Sequence, residues 1–574
     1  MVKFPSPIGA SDEEAEWIAD QPGISFDAAL LAGTLGVVRR SLAWRETARF
    51  GTRLATRPHK AVRPLARLGK DAAKIATRRS EIDPKRRDRR YADQAWQRNP
   101  LFKGLAQVHA ALAVAIDDLL DAAELAPADD YRLRLVAINL IEALAPANWP
   151  WSNPAAWKAI IDTAGGSLIT GAQRLQQDAS KPPRLPVRSA PGQFKLGEEV
   201  AATPGAVVLR TPVMELIQFD PTTPEVKQEP LLMVPSLVNK YYLTDLAPGR
   251  SLVEYAVNHG CQVFHISWVN PDVDDRHFDL DTYIAAIVEA LDAVRAVTKT
   301  PKAHALGVCA GGQLLTIALA HLAALGRQDE VASFTLTVSV LDHSEPASPT
   351  GLMDRDAADQ ALARVRKDGL VDGRRLQAAL AWLRPIDSIW WAWVQRYLLV
   401  ADLPRMDLFF WSEDTTNLPA GLVCDLIELT LENKLTQPNA LTVLGTPIDL
   451  HQVKIPAYLI AGLTDNLTPW RSCYQTAEMI GSRANFVLVT GGHLQAILRP
   501  PGGRSAGYRT APFTPADPDE WLRRSKPHDS SWWDHWLAWL ERRSSGRRAA
   551  PDQAGSQAFP ALEAAPGQYV ARRL

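Results

Sequence analysis

The stretch Gly307-Val308-Cys309-Ala310-Gly311-Gly312 constrains this chain more than any other. It closes a continuous apolar run that starts at His304, and it opens an apolar segment of helical length from Gly312 to Leu325. A run with no polar face suits a strand buried on both sides, and small residues around Cys309 suit a turn where strand and helix approach closely. The alternation recurs along the chain. Ala206–Arg210, Met214–Phe219, Leu231–Pro235, Gln262–Trp268, Phe334–Val340, Ala457–Gly462 and Phe486–Gly491 read as further strands. Ser251–Asn258, Thr282–Val297 and Gly312–Leu325 read as helices between them. Apolar strands alternating with helices predict a mainly parallel sheet covered on both faces.

The glycine turn also predicts chemistry. Lifted above the sheet edge, Cys309 sits at the positive end of the following helix, which favours negative charge there. Ala461-Gly462-Leu463-Thr464-Asp465 puts an acid just after a later strand, and Thr490-Gly491-Gly492-His493 puts a histidine just after the next. Nucleophile, acid and histidine, each following a strand, is the order of an α/β-hydrolase fold, with Cys where Ser is usual. Cys309 needs a base, His493 supplies one near neutral pH, and Asp465 would orient the imidazole. Taken singly, a buried structural Cys, a capping Asp and an incidental His are the plainer readings. The ordered set is what argues for catalysis.

The remaining sequence divides the 574 residues further. Residues 1–90 read as a basic, poorly ordered segment. Arg39 to Arg90 alone carries 18 Lys or Arg against five acids, about +13, although the whole chain has a net charge of -1. Without interleaved aromatic residues at stacking spacing, no nucleic acid is expected. Residues 91–195 read as a helical domain and linker, with Leu101, Leu105, Val108 and Leu112 at helical spacing and a Pro-rich stretch from Lys181 to Pro191. Residues 196–574 hold the sheet, with a Trp-rich insertion at about 342–453 that suits a lid. Four Cys are too few for a disulfide framework. The apolar run Ala28–Val38 is shorter than the ~20 residues a spanning helix needs. A cytoplasmic protein with reduced thiols is the expectation. Neither metal-ligand spacing nor a phosphate- or dinucleotide-cradling glycine loop occurs, so no metal or cofactor is expected.

Several longer motifs carry a resemblance. They are Tyr91–Phe102, Leu144–Trp149, Thr203-Pro204-Gly205, Pro235–Tyr242, Ser267–Pro271, Phe410–Pro419, Gly491–Gly502 and Trp532–Trp536. With Cys309, Asp465 and His493 they make the chain resemble the poly(3-hydroxyalkanoate) synthases of the full-length, single-subunit type, from about residue 90 onward. The resemblance implies an α/β-hydrolase fold with a lid insertion, preceded by a mostly helical N-terminal domain. It implies an acyltransferase that polymerises (R)-3-hydroxyacyl-CoA through a Cys-bound thioester and releases coenzyme A, with short-chain 3-hydroxybutyryl monomers as the expectation. Cys309 matches the nucleophile, Asp465 the acid and His493 the general base. The backbone N–H groups of Ala310 and Val238 would receive the oxyanion, and Trp411, Asp414 and Asn417 match the lid signature. A thioester substrate and a thioester intermediate are close in energy, so a Cys keeps the chain end activated. An apolar lid wall, from Trp390, Trp391, Trp393 and Trp411, would favour the alcohol over water.

Two positions depart from the family pattern. Asn466 stands where the family usually has His after the acid, and Ser236 replaces the second Pro of a Pro-Pro pair. Family partners would be the growing polyester granule, granule-coating proteins and a second copy in an active homodimer. The basic segment 39–90 is expected to help dock the granule. A thioesterase or polyester depolymerase of the same fold, which would be expected to use Ser, and a non-catalytic granule protein, which needs no triad, are the competing readings.

Overall fold

The computed structural model describes residues 44–82, 88–190, 192–344, 355–383, 385–465, 467–502, 507–512 and 514–574. By internal packing these fall into two units, one of residues 44–190 and 374–405, the other of residues 192–373 and 406–574.

The first unit is helical, with α1 Trp44–Thr56, α2 Pro58–Ala76, α3 Pro100–Ala123, α4 Pro127–Ala143, α5 Pro154–Asp162 and α6 Gly166–Ser180. Proline opens α2, α3, α4 and α5, where a missing N–H costs nothing. Asn99 and Asn153 cap α3 and α5 by accepting from the first free backbone N–H groups. The basic stretch, read as partly helical and poorly ordered, forms α1 and α2 where it is described. Acids on α3, at its C-cap and on α4 pair with it. Arg49 pairs with Asp129 at 2.8 Å, Arg57 with Glu124 at 2.9 Å and Arg67 with Asp118 at 3.1 Å, while Arg132 of α4 reaches Glu46 at 2.9 Å. The Trp-rich insertion does not stay in one piece, because residues 374–405 pack within this helical unit. Asp178 of α6 accepts from Arg396 Nε and Nη2 and from the Tyr397 hydroxyl. Trp390 and Trp393 pack with Ala143, Leu185 and Trp382. These two indoles therefore serve the helical unit's own packing, whereas Trp411 belongs to the other unit.

The second unit is built on an 11-stranded sheet. Its strands are β1 Gly205–Arg210, β2 Met214–Phe219, β3 Leu231–Val234, β4 Val263–Trp268, β5 Ala303–Val308, β6 Val331–Thr337, β7 Ala457–Gly462, β8 Ala484–Val489, β9 Tyr508–Thr510, β10 Lys526–His528 and β11 Glu563–Ala564. The order is β10-β9-β8-β7-β6-β5-β3-β4-β2-β1-β11. The six central strands, β4 through β8 with β3, run parallel, and both flanks are antiparallel. Each expected strand is present, and β3, β4 and β5 are buried along their whole length, as a doubly covered parallel sheet requires. The helices that bear on the site are α7 Leu252–Asn258, α8 Leu280–Thr298, α9 Ala310–Ala324, α10 Asp407–Glu413, α11 His493–Ile497 and α12 Trp532–Glu541. Trp532, Trp533, Trp536 and Trp539 of α12 are fully buried. No described helix is long and apolar enough to cross a membrane.

Candidate active site

Cys309 directly follows β5 and caps α9 with φ 52° and ψ -124°, a positive-φ conformation that a non-glycine residue rarely adopts. Its N–H is held by the Thr337 carbonyl at 2.9 Å. Close approach on both sides forces the turn. A Cβ on Gly307 would lie 2.5 Å from the Gly312 Cα, and one on Gly311 would lie 2.1 Å from the Pro235 oxygen. The glycines thus press α9 onto its own strand and onto the loop after β3. Strain at this turn raises the Cys309 side chain at the N-terminus of a 15-residue helix, where the backbone dipoles favour an anion.

The acid and the base come from the ends of β7 and β8. Asp465 is buried, and His493 Nδ1 lies 2.8 Å from its Oδ2. Three further hydrogen bonds hold that carboxylate: Leu467 N–H at 2.8 Å, Thr468 N–H at 3.0 Å and the Thr468 hydroxyl at 2.6 Å. With Nδ1 occupied by the carboxylate, the other ring nitrogen is left for Cys309, whose thiol lies close enough to interact with the imidazole. Burial pushes the imidazolium down, but the charge and hydrogen bond of Asp465 together with Cys309 overcome it and hold His493 up to about 10. The site therefore favours a protonated imidazole beside the sulfur. His493 sits at the first position of α11, and the indole N–H groups of Trp532 and Trp533 donate to the Ala496 and Ile497 carbonyls at that short helix's other end. The buried Trp-rich helix α12 thereby fixes the histidine loop from behind.

The two expected oxyanion donors differ in state. Ala310 N–H is at the first turn of α9, where no intrahelical acceptor exists. Val238 N–H instead donates to the Ser236 hydroxyl at 3.3 Å. Ser236 thus occupies the donor, and an incoming oxyanion would have to displace it.

The lid-signature residues are turned toward this same loop. The Trp411 indole donates to the Lys240 carbonyl at 2.8 Å, and Tyr242 donates to Asp414 at 3.0 Å. Asn239 donates to the carbonyls of Trp411 and Ser412 at 3.0 and 3.2 Å. Asn417 bonds Asn270, Pro271 and Gly373, joining the turn after β4 to the insertion. Burial pushes the Asp414 carboxyl up, against the nearby Lys240 and Arg573. Asn466 lies outside the described residues. Sequence reasoning missed Thr468, whose place three residues after an Asp is the signal of a side chain closing onto its own turn. It also gave no role to Asn239 and Lys240. Among the described residues no three His, Cys, Asp or Glu are grouped to hold a metal.

Comparison with known proteins adds the family context. A family model described as the poly-beta-hydroxybutyrate polymerase (PhaC) N-terminus matches residues 87–256, and one described as the alpha/beta hydrolase fold matches residues 229–500. Poly(3-hydroxyalkanoate) polymerase 1 of Ectopseudomonas oleovorans is 39% identical over 540 residues, covering 94% of this chain and 96% of that one. Poly(3-hydroxyalkanoate) polymerase 2 of the same organism is 36% identical, covering 89% and 91%. The poly(3-hydroxyalkanoate) polymerase subunit PhaC of Cupriavidus necator is 34% identical, covering 84% and 83%. The central sheet and its helices are an α/β-hydrolase fold, and the region before it is helical.

Proposed function

The chain belongs to the poly(3-hydroxyalkanoate) polymerase family, and from that premise we propose that it polymerises 3-hydroxyacyl groups from coenzyme A thioesters with Cys309 as acyl acceptor. It is an acyltransferase on an α/β-hydrolase fold. The observation that carries the mechanism is the array of Asp465, His493 and Cys309 at the ends of β7, β8 and β5.

Acylation begins with the Cys309 sulfur attacking the thioester carbonyl. The new carbon–sulfur bond forms as the carbonyl oxygen takes negative charge beside Ala310 N–H. The bond to coenzyme A then breaks, and the protonated His493 gives its proton to the departing thiolate. In transfer, neutral His493 takes the proton of a 3-hydroxyl group, and the hydroxyl oxygen attacks the Cys309 thioester. An ester bond forms, the thioester bond breaks and the thiolate is restored. Asp465 steadies the imidazolium in both halves.

Short-chain monomers, association with the polymer granule and activity as a homodimer extend this reading. Granule docking through α1 and α2 is supported by Arg63, Lys70 and Lys74, which are exposed and share one face of α2 by their helical spacing. Basic stems laid on an apolar surface with wet heads suit such contact. The test is purified protein with 3-hydroxybutyryl-CoA and, in parallel, 3-hydroxyoctanoyl-CoA, following free thiol and polymer together. Thiol release matched by polymer, faster with the four-carbon substrate, is expected. Thiol release without polymer would make the protein a thioesterase, and preference for the longer substrate would overturn the short-chain part.

A further inference from the structure

Lys240 is almost fully buried at 4% exposure, on the loop that follows β3. Its ammonium is seated on two backbone carbonyls far along the chain, Tyr569 at 3.2 Å and Arg572 at 2.7 Å. That receiving segment is itself clamped. The N–H groups of Gln568 and Tyr569 donate to the buried Glu215 carboxylate of β2 at 3.1 and 3.0 Å. The Tyr569 hydroxyl donates to the Thr211 carbonyl at 2.6 Å, and Asn270 donates to the Arg572 carbonyl at 3.2 Å. The Arg573 guanidinium lies 4.9 Å from the Phe410 ring centre.

A buried ammonium is an expensive way to fill space. Burial pushes Lys240 down to about 8, with Asp414 opposing and the charges of Arg572 and Arg573 adding to the effect. An apolar side chain of like volume would avoid that cost, so the retained charge makes sense as a device that selects one arrangement. What it arranges is the turn Leu237–Asn239. Asn239 has a left-handed φ of 64°, Lys240's own carbonyl is held by Trp411, and Pro235 at the start of the loop touches Gly311 of the nucleophile turn.

We infer that Lys240 is a positioning residue for the oxyanion loop, and that its seat on the Tyr569 and Arg572 carbonyls makes the segment 568–573 part of the acylation apparatus. This rests on the reading of Cys309 as acyl acceptor. An oxyanion donor displaced by about 1 Å loses about 10²-fold in rate, whereas alkylation of the same sulfur needs no oxyanion site.

The test uses the full chain with Lys240→Met, which keeps the stem and removes every donor, and Lys240→Arg, which can donate to both carbonyls. A third variant ends at Ala571 and so lacks the Arg572 carbonyl. Coenzyme A release from 3-hydroxybutyryl-CoA, the rate of Cys309 alkylation by iodoacetamide and thermal melting are measured for each. Lys240→Met should lower kcat about 10²-fold with KM and alkylation rate within about three-fold of the parent, and Lys240→Arg should recover at least about a tenth of the parent kcat. The Ala571 variant should lose kcat in the same selective way, and it keeps the inference open to refutation if Lys240→Met fails to fold. Parent-like kcat in either of these two variants overturns the inference. So does parallel loss of alkylation and turnover, which would mean general collapse of the site, and so does Lys240→Arg performing no better than Lys240→Met. Turnover by Cys309→Ala would instead overturn the acyl-acceptor reading, and this inference with it.

Discussion

Replacing Gly311 by Ala perturbs the site through a single methyl group. Its Cβ would lie 2.1 Å from the Pro235 oxygen, 2.6 Å from the Pro235 carbonyl carbon and 2.8 Å from the Val234 oxygen. All three are backbone atoms at the end of a buried strand, so no side-chain rotation relieves the clash. The N-terminus of α9 and the loop after β3 must part by about 1 Å, and such overpacking costs about 1–3 kcal/mol of stability. The larger effect falls on rate. Ala310 and Val238 stand on opposite sides of the gap that opens, and about 1 Å of misplacement costs about 10²-fold in turnover. Saturating kcat for coenzyme A release is to be compared with thermal melting of the same preparation. Gly69→Ala is the control, because its Cβ meets nothing within 4 Å on helix α2 and kcat should not change. A Gly311→Ala enzyme that keeps more than half of the parent kcat would refute the close-packed turn as the source of the donor geometry.

Three other outcomes follow from the same contacts. Asp465→Asn should cost about 10³–10⁴-fold in kcat with the fold intact, as measured by turnover and circular dichroism. Because His493 is raised to about 10, the Asp465–His493 pairing contributes its full stability below the unfolded value of about 6.5 and loses it as pH rises through 10. Melting of the parent between pH 7 and 10 should therefore fall more steeply than that of Asp465→Asn. Asp178→Asn should destabilise the helical unit by about 1–3 kcal/mol in denaturant titration, since it leaves the half-buried Arg396 and the buried Tyr397 donors poorly matched. Burial opposes it, but Arg396 and Tyr397 hold the Asp178 carboxyl below its usual range, so this contribution is present above about 3.9 and lost as pH falls through the lowered value. The gap to the parent should narrow in acid. Replacing Arg63, Lys70 and Lys74 together by Ser should leave coenzyme A release unchanged and weaken co-sedimentation with polymer granules.

The parallel strands were legible because each is a continuous apolar run that only a doubly covered sheet explains. The grouping of Cys309, Asp465 and His493 was legible because they follow three such runs in order. Of the antiparallel flanks, β1 and β2 were legible, but the three short outer strands were not. Tyr508–Thr510, Lys526–His528 and Glu563–Ala564 are two or three residues long, too short for any period to register, and tertiary pairing alone makes them strands. The ion-pair partners of the basic stretch were hidden for a related reason. Its charge density was plain, but the acids that pair with it, such as Asp118 of α3, Glu124 at its C-cap and Asp129 of α4, lie 50 or more residues away. The Trp-rich insertion read as one lid because composition does not reveal partners, and residues 374–405 are held to α6 by Asp178 through contacts more than 200 positions apart. Lys240 was visible only as part of a motif, since its acceptors are backbone carbonyls that carry no sequence signal.

The proposed mechanism requires each acyl group to pass through a thioester on Cys309. Protein mixed with a near-equimolar amount of 3-hydroxybutyryl-CoA, quenched early in acid and digested, can be examined by peptide mass spectrometry. The peptide holding Cys309 should gain one or more 3-hydroxybutyryl units, and neutral hydroxylamine should remove them, as it does for a thioester. Polymer and free coenzyme A appearing while Cys309 stays unmodified, or the acyl group residing on another side chain, would contradict it.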